Sequence, residues 1–207
     1  MASSPFAFSD DAALVARARA VLGGTALSEQ AAGLASPRLY VSGAFAGRTV
    51  RGEIHELRDV RVDASGAVVP PPVLLGRLFE VIEAGAGSSK EVEIEDDKLD
   101  VFALVEAYTA DGEGEAYAYE ALRDMLSATG QPQKVDDHTC YIFHFPNLAF
   151  QRAGAFRLKF CFFERSSLPE SPGGGRYVVQ AKCAGRDVLV VPPLRRAAEG
   201  TEGGEAA

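Results

Sequence analysis

Two stretches of this chain alternate aromatic and polar residues so regularly that they restrict its fold severely. In His138 to Phe145, the side chains of Tyr141, Phe143 and Phe145 share one face. In Ala155 to Glu164, Phe156, Leu158, Phe160 and Phe162 share one face, with Arg157, Lys159 and Cys161 on the other. A period of two belongs to an extended strand, whose successive side chains point to opposite sides. Pro146-Asn147 breaks the chain between the two stretches. Each strand therefore needs a second layer to cover its aromatic face, and the pair is expected to form the centre of the core. Burying one Phe or Leu there contributes roughly 1.5–3 kcal/mol.

The rest of the chain supplies more strands. Leu39-Tyr40-Val41 starts one that Phe45 can continue, and Glu53 to Val62 alternates charged and apolar residues like a half-exposed strand or edge hairpin. Asp63 to Gly66 is a turn signal. Pro70-Pro71-Pro72 offers no ladder donors and favours an extended form before the apolar strand Val73 to Ile82. Further strands are expected over Asp100 to Thr109, Tyr177 to Ala181 and Asp187 to Val191, with a flexible loop at Gly173 to Gly175. Glu113 to Gly130 is harder to read, but Tyr117, Leu122, Met125 and Leu126 could form a short helix there. Ahead of all this, Ser9 or Asp10 caps a helix that runs to Leu22 and stops at Gly23-Gly24. The expectation is an all-β sandwich with a short N-terminal helix. Residues 1–36 would be helix and linker, 37–196 the sandwich, 84–98 a flexible acidic insertion, and 197–207 a disordered tail.

Composition excludes some classes of function. With 47% hydrophobic residues the chain can bury a real core. No apolar run reaches the ~18 residues that span a bilayer, and Met1 to Asp10 lacks the features of a secretory leader, so a soluble intracellular protein is expected. Cys140, Cys161 and Cys183 are odd in number and widely spaced, which fits small core residues better than disulfides or a zinc site. The net charge is −8, but it is uneven. Lys90 to Glu120 holds eleven acids and two bases, whereas Ala121 to Arg196 holds eleven bases and six acids. A local basic face therefore remains open to a nucleic acid.

No enzyme chemistry stands out. His55, His138 and His144 lack the spacing of a helical metal pair, and neither a nucleophile elbow nor a phosphate loop is present. Glu91, Glu93, Glu95, Asp96 and Asp97 lack the spacing of a calcium loop and read as a solvated charge run. Hence no catalytic residue, cofactor or metal site is expected. The candidate binding residues are basic: Arg48, Arg51, Arg58 and Arg61 before the prolines, and Arg152 beyond them. Arginines on a sandwich edge or loop can pair with phosphates and fork onto guanine. The competing reading is ordinary exposure, because Glu53, Glu56, Asp59 and Asp63 interleave with the first group. Phe163 falls opposite Phe162, beside Cys161, and the two are candidates for a partner surface.

The block Tyr141-Ile-Phe-His-Phe-Pro-Asn-Leu-Ala-Phe-Gln-Arg-Ala-Gly-Ala-Phe-Arg-Leu-Lys-Phe-Cys-Phe-Phe-Glu164 resembles the signature of the fungal velvet regulators. That signature is an aromatic strand, Phe-Pro-Asp-Leu, a link with Arg and Gly, and an alternating Arg-Leu-x-Phe strand ending in Glu. Asn147 stands where the family usually has Asp. The proline triplet followed by Val73-Leu74-Leu75 resembles the family's entry into a hydrophobic strand, and the likeness extends over roughly Leu39 to Val191. It implies a sandwich similar to the Rel-type, immunoglobulin-like DNA-binding fold. It also implies homo- or heterodimers with other velvet proteins, association with a methyltransferase-like regulator, and residence in nucleus and cytoplasm. The implied role is transcriptional control of sporulation and secondary metabolism through promoter DNA. The family usually carries paired arginines shortly before its prolines, whereas this chain has Ala64-Ser-Gly-Ala-Val-Val69. That departure favours an alternative, a velvet-fold interaction module that does not bind DNA. A sandwich enzyme or small-ligand carrier is the third reading, and it would require a deep polar pocket.

Overall fold

The computed structural model describes residues 6–24, 32–34, 36–41, 43–85, 88–110, 116–118, 120–123, 126–164 and 178–191. In chain order the elements are helix α1 (Ala12–Leu22) and strands β1 (Ala32–Leu34), β2 (Arg38–Leu39), β3 (Thr49–Glu56), β4 (Arg61–Val62) and β5 (Val68–Val69). Then come β6 (Val73–Gly85), β7 (Ser88–Glu93), β8 (Val101–Thr109), β9 (Leu122–Arg123), β10 (Ser127–Thr129) and β11 (Gln131–Val135). The last are β12 (His138–His144), β13 (Ala149–Phe150), β14 (Gly154–Glu164) and β15 (Val178–Val190).

The large sheet runs β1-β3-β6-β12-β11, with β2 on β3 and β7 on β6. The smaller one runs β10-β8-β14-β15, and every pairing is antiparallel. Consecutive aromatic strands thus go to opposite sheets: β12 sits in the first and β14 in the second. Their aromatic faces meet, with ring centroids 5.3 Å apart for Phe143–Phe162 and 5.7 Å for Phe145–Phe160. Tyr141, Phe143, Phe145, Phe156, Phe160 and Phe162 are all among the largest fully buried side chains. The fold is the all-β sandwich that the alternation requires. At Gly52 the backbones of the two sheets come close, and a Cβ there would sit 2.8 Å from that of Gln180.

Helix α1 packs on the outer face of the large sheet. Leu14 and Ala18 pack on Leu57, Val73, Leu75, Cys140 and Ile142. The cap is Asp11 rather than Ser9 or Asp10: its carboxylate accepts from Leu14 N at 3.1 Å. A small separate cluster joins Phe102, Cys161 and Phe163 on the second sheet. The three cysteines are free, and each belongs to a different cluster, Cys183 to the central core, Cys140 beneath α1 and Cys161 beside Phe163. Burial pushes the thiols of Cys140 and Cys161 up to about 12 and about 11, and that of Cys183 up as well.

Several local expectations change. The segment expected to link the helix to the sandwich, within residues 1–36, is not linker throughout, since Ala32–Leu34 pairs with β3. The acidic stretch 84–98 is solvent-exposed as expected but not irregular throughout: Ser88–Glu93 forms a hairpin partner for β6, and Ile94 N donates to Leu78 O at 2.9 Å. Acids were misleading there because Glu91 and Glu93 are matched by arginines across the sheet. Phe45 lies in a 3-10 turn instead of extending a strand. The described parts of Glu113 to Gly130 hold β9 and β10 and no helix. The two final strands are one, β15, continuous through irregular registers between Arg157 and Lys159 and between Phe162 and Phe163 of its partner. The Gly173 to Gly175 loop and the tail from Ala197 lie outside the described residues.

Candidate nucleic-acid and partner interface

On β3 the residues Val50, Gly52 and Ile54 point inward, so Arg51, Glu53 and His55 must point outward. β6 alternates in the same way, with Leu74 and Leu78 inward and Arg77 and Phe79 outward. The register sets Arg51 opposite Phe79, Phe79 opposite Glu93, and Glu53 opposite Arg77. Both guanidinium groups lie over the Phe79 ring, 4.6 Å from its centroid. Arg51 donates a fork to Glu91, with both bonds at 2.7 Å. Arg77 donates to Glu53 and Glu93, each at 2.9 Å, and His138 Nδ1 is 2.8 Å from Glu93. The side chains of Arg51, Glu53, Arg77 and Glu93 are only 11–15% exposed. Burial alone would raise the Glu53 carboxyl, but His55, Arg77 and Arg51 outweigh it and hold the group at about 2. His55 Nε2 lies 3.7 Å from Glu53 Oε1, an ion-pair distance rather than a hydrogen bond.

Two more candidate arginines are engaged in the same manner. Arg48 meets Glu80 at 2.6 Å, and Arg58 meets the helix-capping Asp11 at 2.5 Å. Arg48, Arg51 and Arg58 therefore direct their charge at the protein's own carboxylates.

Arg61 and Arg152 lie elsewhere. The hairpin β4–β5 and the pair β13–β9 meet through a bridge between Ala67 and Ala149, with Val68 N donating to Leu148 O and Phe150 N to Gly66 O. Gly66 has φ +88°, and a Cβ there would be 2.4 Å from Phe150 O, so this junction demands glycine. Together these short strands make one loop end of the sandwich. Arg61 on β4, Arg123 on β9 and Arg152 just after β13 are exposed there. Arg61 and Arg152 form no hydrogen-bonded ion pair among the described residues. Arg61 acts on Asp63, whose carboxyl is lowered first by hydrogen bonds from Ser65 and only last by this arginine. Between the short strands lies a cleft of about 510 Å³ lined by Val68, Val69, Pro71, Arg123, Pro146 and Asn147.

Phe163 and Cys161 do not offer a docking surface. Phe163 is 9% exposed and stacks on Phe102 with centroids 5.0 Å apart, while Cys161 is 2% exposed with its Sγ 3.8 Å from Glu106. Burial and the Glu106 charge both oppose its ionisation. Among the described residues no group of three metal-ligating side chains converges, and no helix is long and apolar enough to cross a membrane.

Sequence reasoning missed Arg77, Phe79 and Arg123. Arg77 had a readable signal, since it is the one charge set among the apolar residues of Val73 to Phe79. A charge within such a run must meet a partner or face outward. Arg123 had none, because only the β9–β13 pairing brings it to Ala149.

No family model matches the chain. It is 28% identical, over an alignment of 183 residues, to a probable velvet family sexual development regulator of Schizophyllum commune. The match takes in 72% of this chain and 65% of that protein's own length. With the sandwich in place and the Tyr141 to Glu164 block at its centre, the resemblance of this chain to the velvet family is borne out.

Proposed function

We propose that this chain is a velvet-type regulator of fungal development, not an enzyme. In this reading it works as a homo- or heterodimer with other velvet proteins, in nucleus and cytoplasm, and touches promoter DNA from its loop end. The observation that carries the regulatory role is its similarity to a protein named as a sexual development regulator. Control of sporulation and secondary metabolism, and association with a methyltransferase-like regulator, extend the same reading. The loop end is the favoured DNA contact because Arg61 and Arg152 keep their charge for a phosphate, whereas Arg48, Arg51 and Arg58 do not. The test is a mobility shift with promoter DNA across a salt series. Phosphate contacts should weaken binding steeply as salt rises, and the double substitution Arg61→Ala, Arg152→Ala should reduce the log–log slope by about 2. A slope unchanged by that variant removes the loop end from the interface.

A second reading, the velvet-fold interaction module without DNA binding, is favoured by the net charge of −8 and by the internal pairing of three of the five candidate arginines. Absence of any shift at low salt, with a velvet partner still captured, decides for it.

A further inference from the structure

The last strand brings the chain out at the loop end of the sandwich. Val190 pairs with Gly154, so β15 finishes beside the turn that carries Arg152. Strand β4, which carries Arg61, packs against β15. Leu189 and Val191 are exposed, so the chain leaves on a solvent-facing side. The sequence then continues with Pro192-Pro193-Leu194-Arg195-Arg196, and residues 197–207 hold Glu199, Glu202 and Glu205 with no base. We propose that this acidic tail docks on Arg61 and Arg152 and competes there with phosphate-bearing ligands, as an inhibitor built into the chain.

Charge selects the tail as the occupant. Arg61 and Arg152 are exposed and form no hydrogen-bonded ion pair among the described residues, whereas Arg48, Arg51 and Arg58 are each held by a carboxylate. A carboxylate accepts from a guanidinium through the same forked geometry as a phosphate. Reach selects it as well. Glu199 follows Val191 by eight positions, and eight extended residues span up to roughly 26–29 Å. Successive acids are three positions apart, roughly 10 Å when extended, so different carboxylates can address different arginines.

Attachment makes the contact effective. A tethered ligand is present at an effective concentration of about millimolar order. Exposed ion pairs, too weak to hold a free peptide, then suffice. Arg195 and Arg196 lie nearer to the exit and share the sign of the loop end. In the docked form they stay outward while the acids turn back. The competition with DNA rests on the loop-end reading above, and the docking itself does not.

The experiment uses the full chain with Ala206→Cys carrying a nitroxide, which the three buried native thiols leave as the accessible label site. Relative to the reduced label, the amide peaks of Arg61, Gly66 and Arg152 should lose about half of their intensity or more at low salt and regain it at high salt, where exposed charges are screened. Peaks of the central core should be unaffected, which shows that the chain is folded. Glu199→Gln, Glu202→Gln and Glu205→Gln together keep the length of the tail and should abolish the broadening. Arg61→Ala with Arg152→Ala should abolish it in an unchanged tail. In the mobility shift, the triple variant should bind promoter DNA about fivefold more tightly than the parent at low salt, with the gap closing as salt rises. Absence of broadening at low salt, or its persistence in the triple variant, overturns the docking. Equal affinity of parent and triple variant for DNA overturns the competition. If the label broadens these amides and neither chain shifts DNA, the docking stands and the DNA reading alone falls. Tripolyphosphate then serves as the competing ligand, and its failure to restore the broadened peaks overturns the competition.

Discussion

On the outer face of the large sheet, Arg51 and Arg77 lie over Phe79 and direct their remaining donors at Glu53, Glu91 and Glu93. At the loop end, Arg61 and Arg152 stand in solvent on short strands and turns. The same side chain serves two purposes here. In the first region the cations neutralise Glu53 and Glu93, which the sheet has drawn out of water, and reach out to the exposed Glu91. Removing one leaves its partners charged and poorly hydrated. In the second region water already solvates the cation, so its loss costs the fold almost nothing while a phosphate ligand loses its contact. Basic residues near one another in sequence are therefore not a binding site until their carboxylates have been located.

The largest effect should come from Arg77→Ala. It strips Glu53 and Glu93 of their shared cation and uncovers Phe79. A loss of roughly 3 kcal/mol is expected, read as a lower urea midpoint at an unchanged slope. A loss below about 1 kcal/mol would mean that the array is solvated after all.

Acid should erode the same region. Glu53 is held at about 2 in the folded chain against an ordinary value of 4.5. A carboxylate with a depressed folded value contributes stability that is full above its unfolded value and disappears as pH falls through its folded one. Unfolding free energy should therefore fall between about pH 4.5 and pH 2. Glu53→Gln should flatten that part of the profile, and an identical profile in the variant would locate the acid sensitivity elsewhere.

The smallest effect on the fold should be that of Arg61→Ala and Arg152→Ala. Both are expected to leave stability within about 0.5 kcal/mol of the parent, measured by the same urea titration. If either cost more than 1 kcal/mol, the contrast between the two regions would break down.

The sandwich was legible because its determinants are local. Tyr141, Phe143 and Phe145, like Phe156, Leu158, Phe160 and Phe162, declare their face by alternation alone. The candidate site was much less legible because what its arginines do is decided by pairings between strands. Arg51 meets Glu91 across forty positions, and Arg58 meets Asp11 across forty-seven. No local pattern links either pair, and the interleaved Glu53 and Glu56 pointed to cancellation by near neighbours instead. Ser88 to Glu93 was misread for the same reason: six residues rich in charge resemble a solvated loop until the arginines beneath them are known. Phe163 was placed on the correct face, but alternation cannot reveal that Phe102 stacks upon it.

The three cysteines turn the interior into something that can be timed. One lies under the helix, one between the sheets and one in the small cluster on the far side, and all are kept as unreactive thiols by burial. An alkylating reagent added to the native chain must wait for each site to open. The order in which Cys140, Cys161 and Cys183 take up label would then rank the helix seat, the outer cluster and the central seam by how often each one breathes.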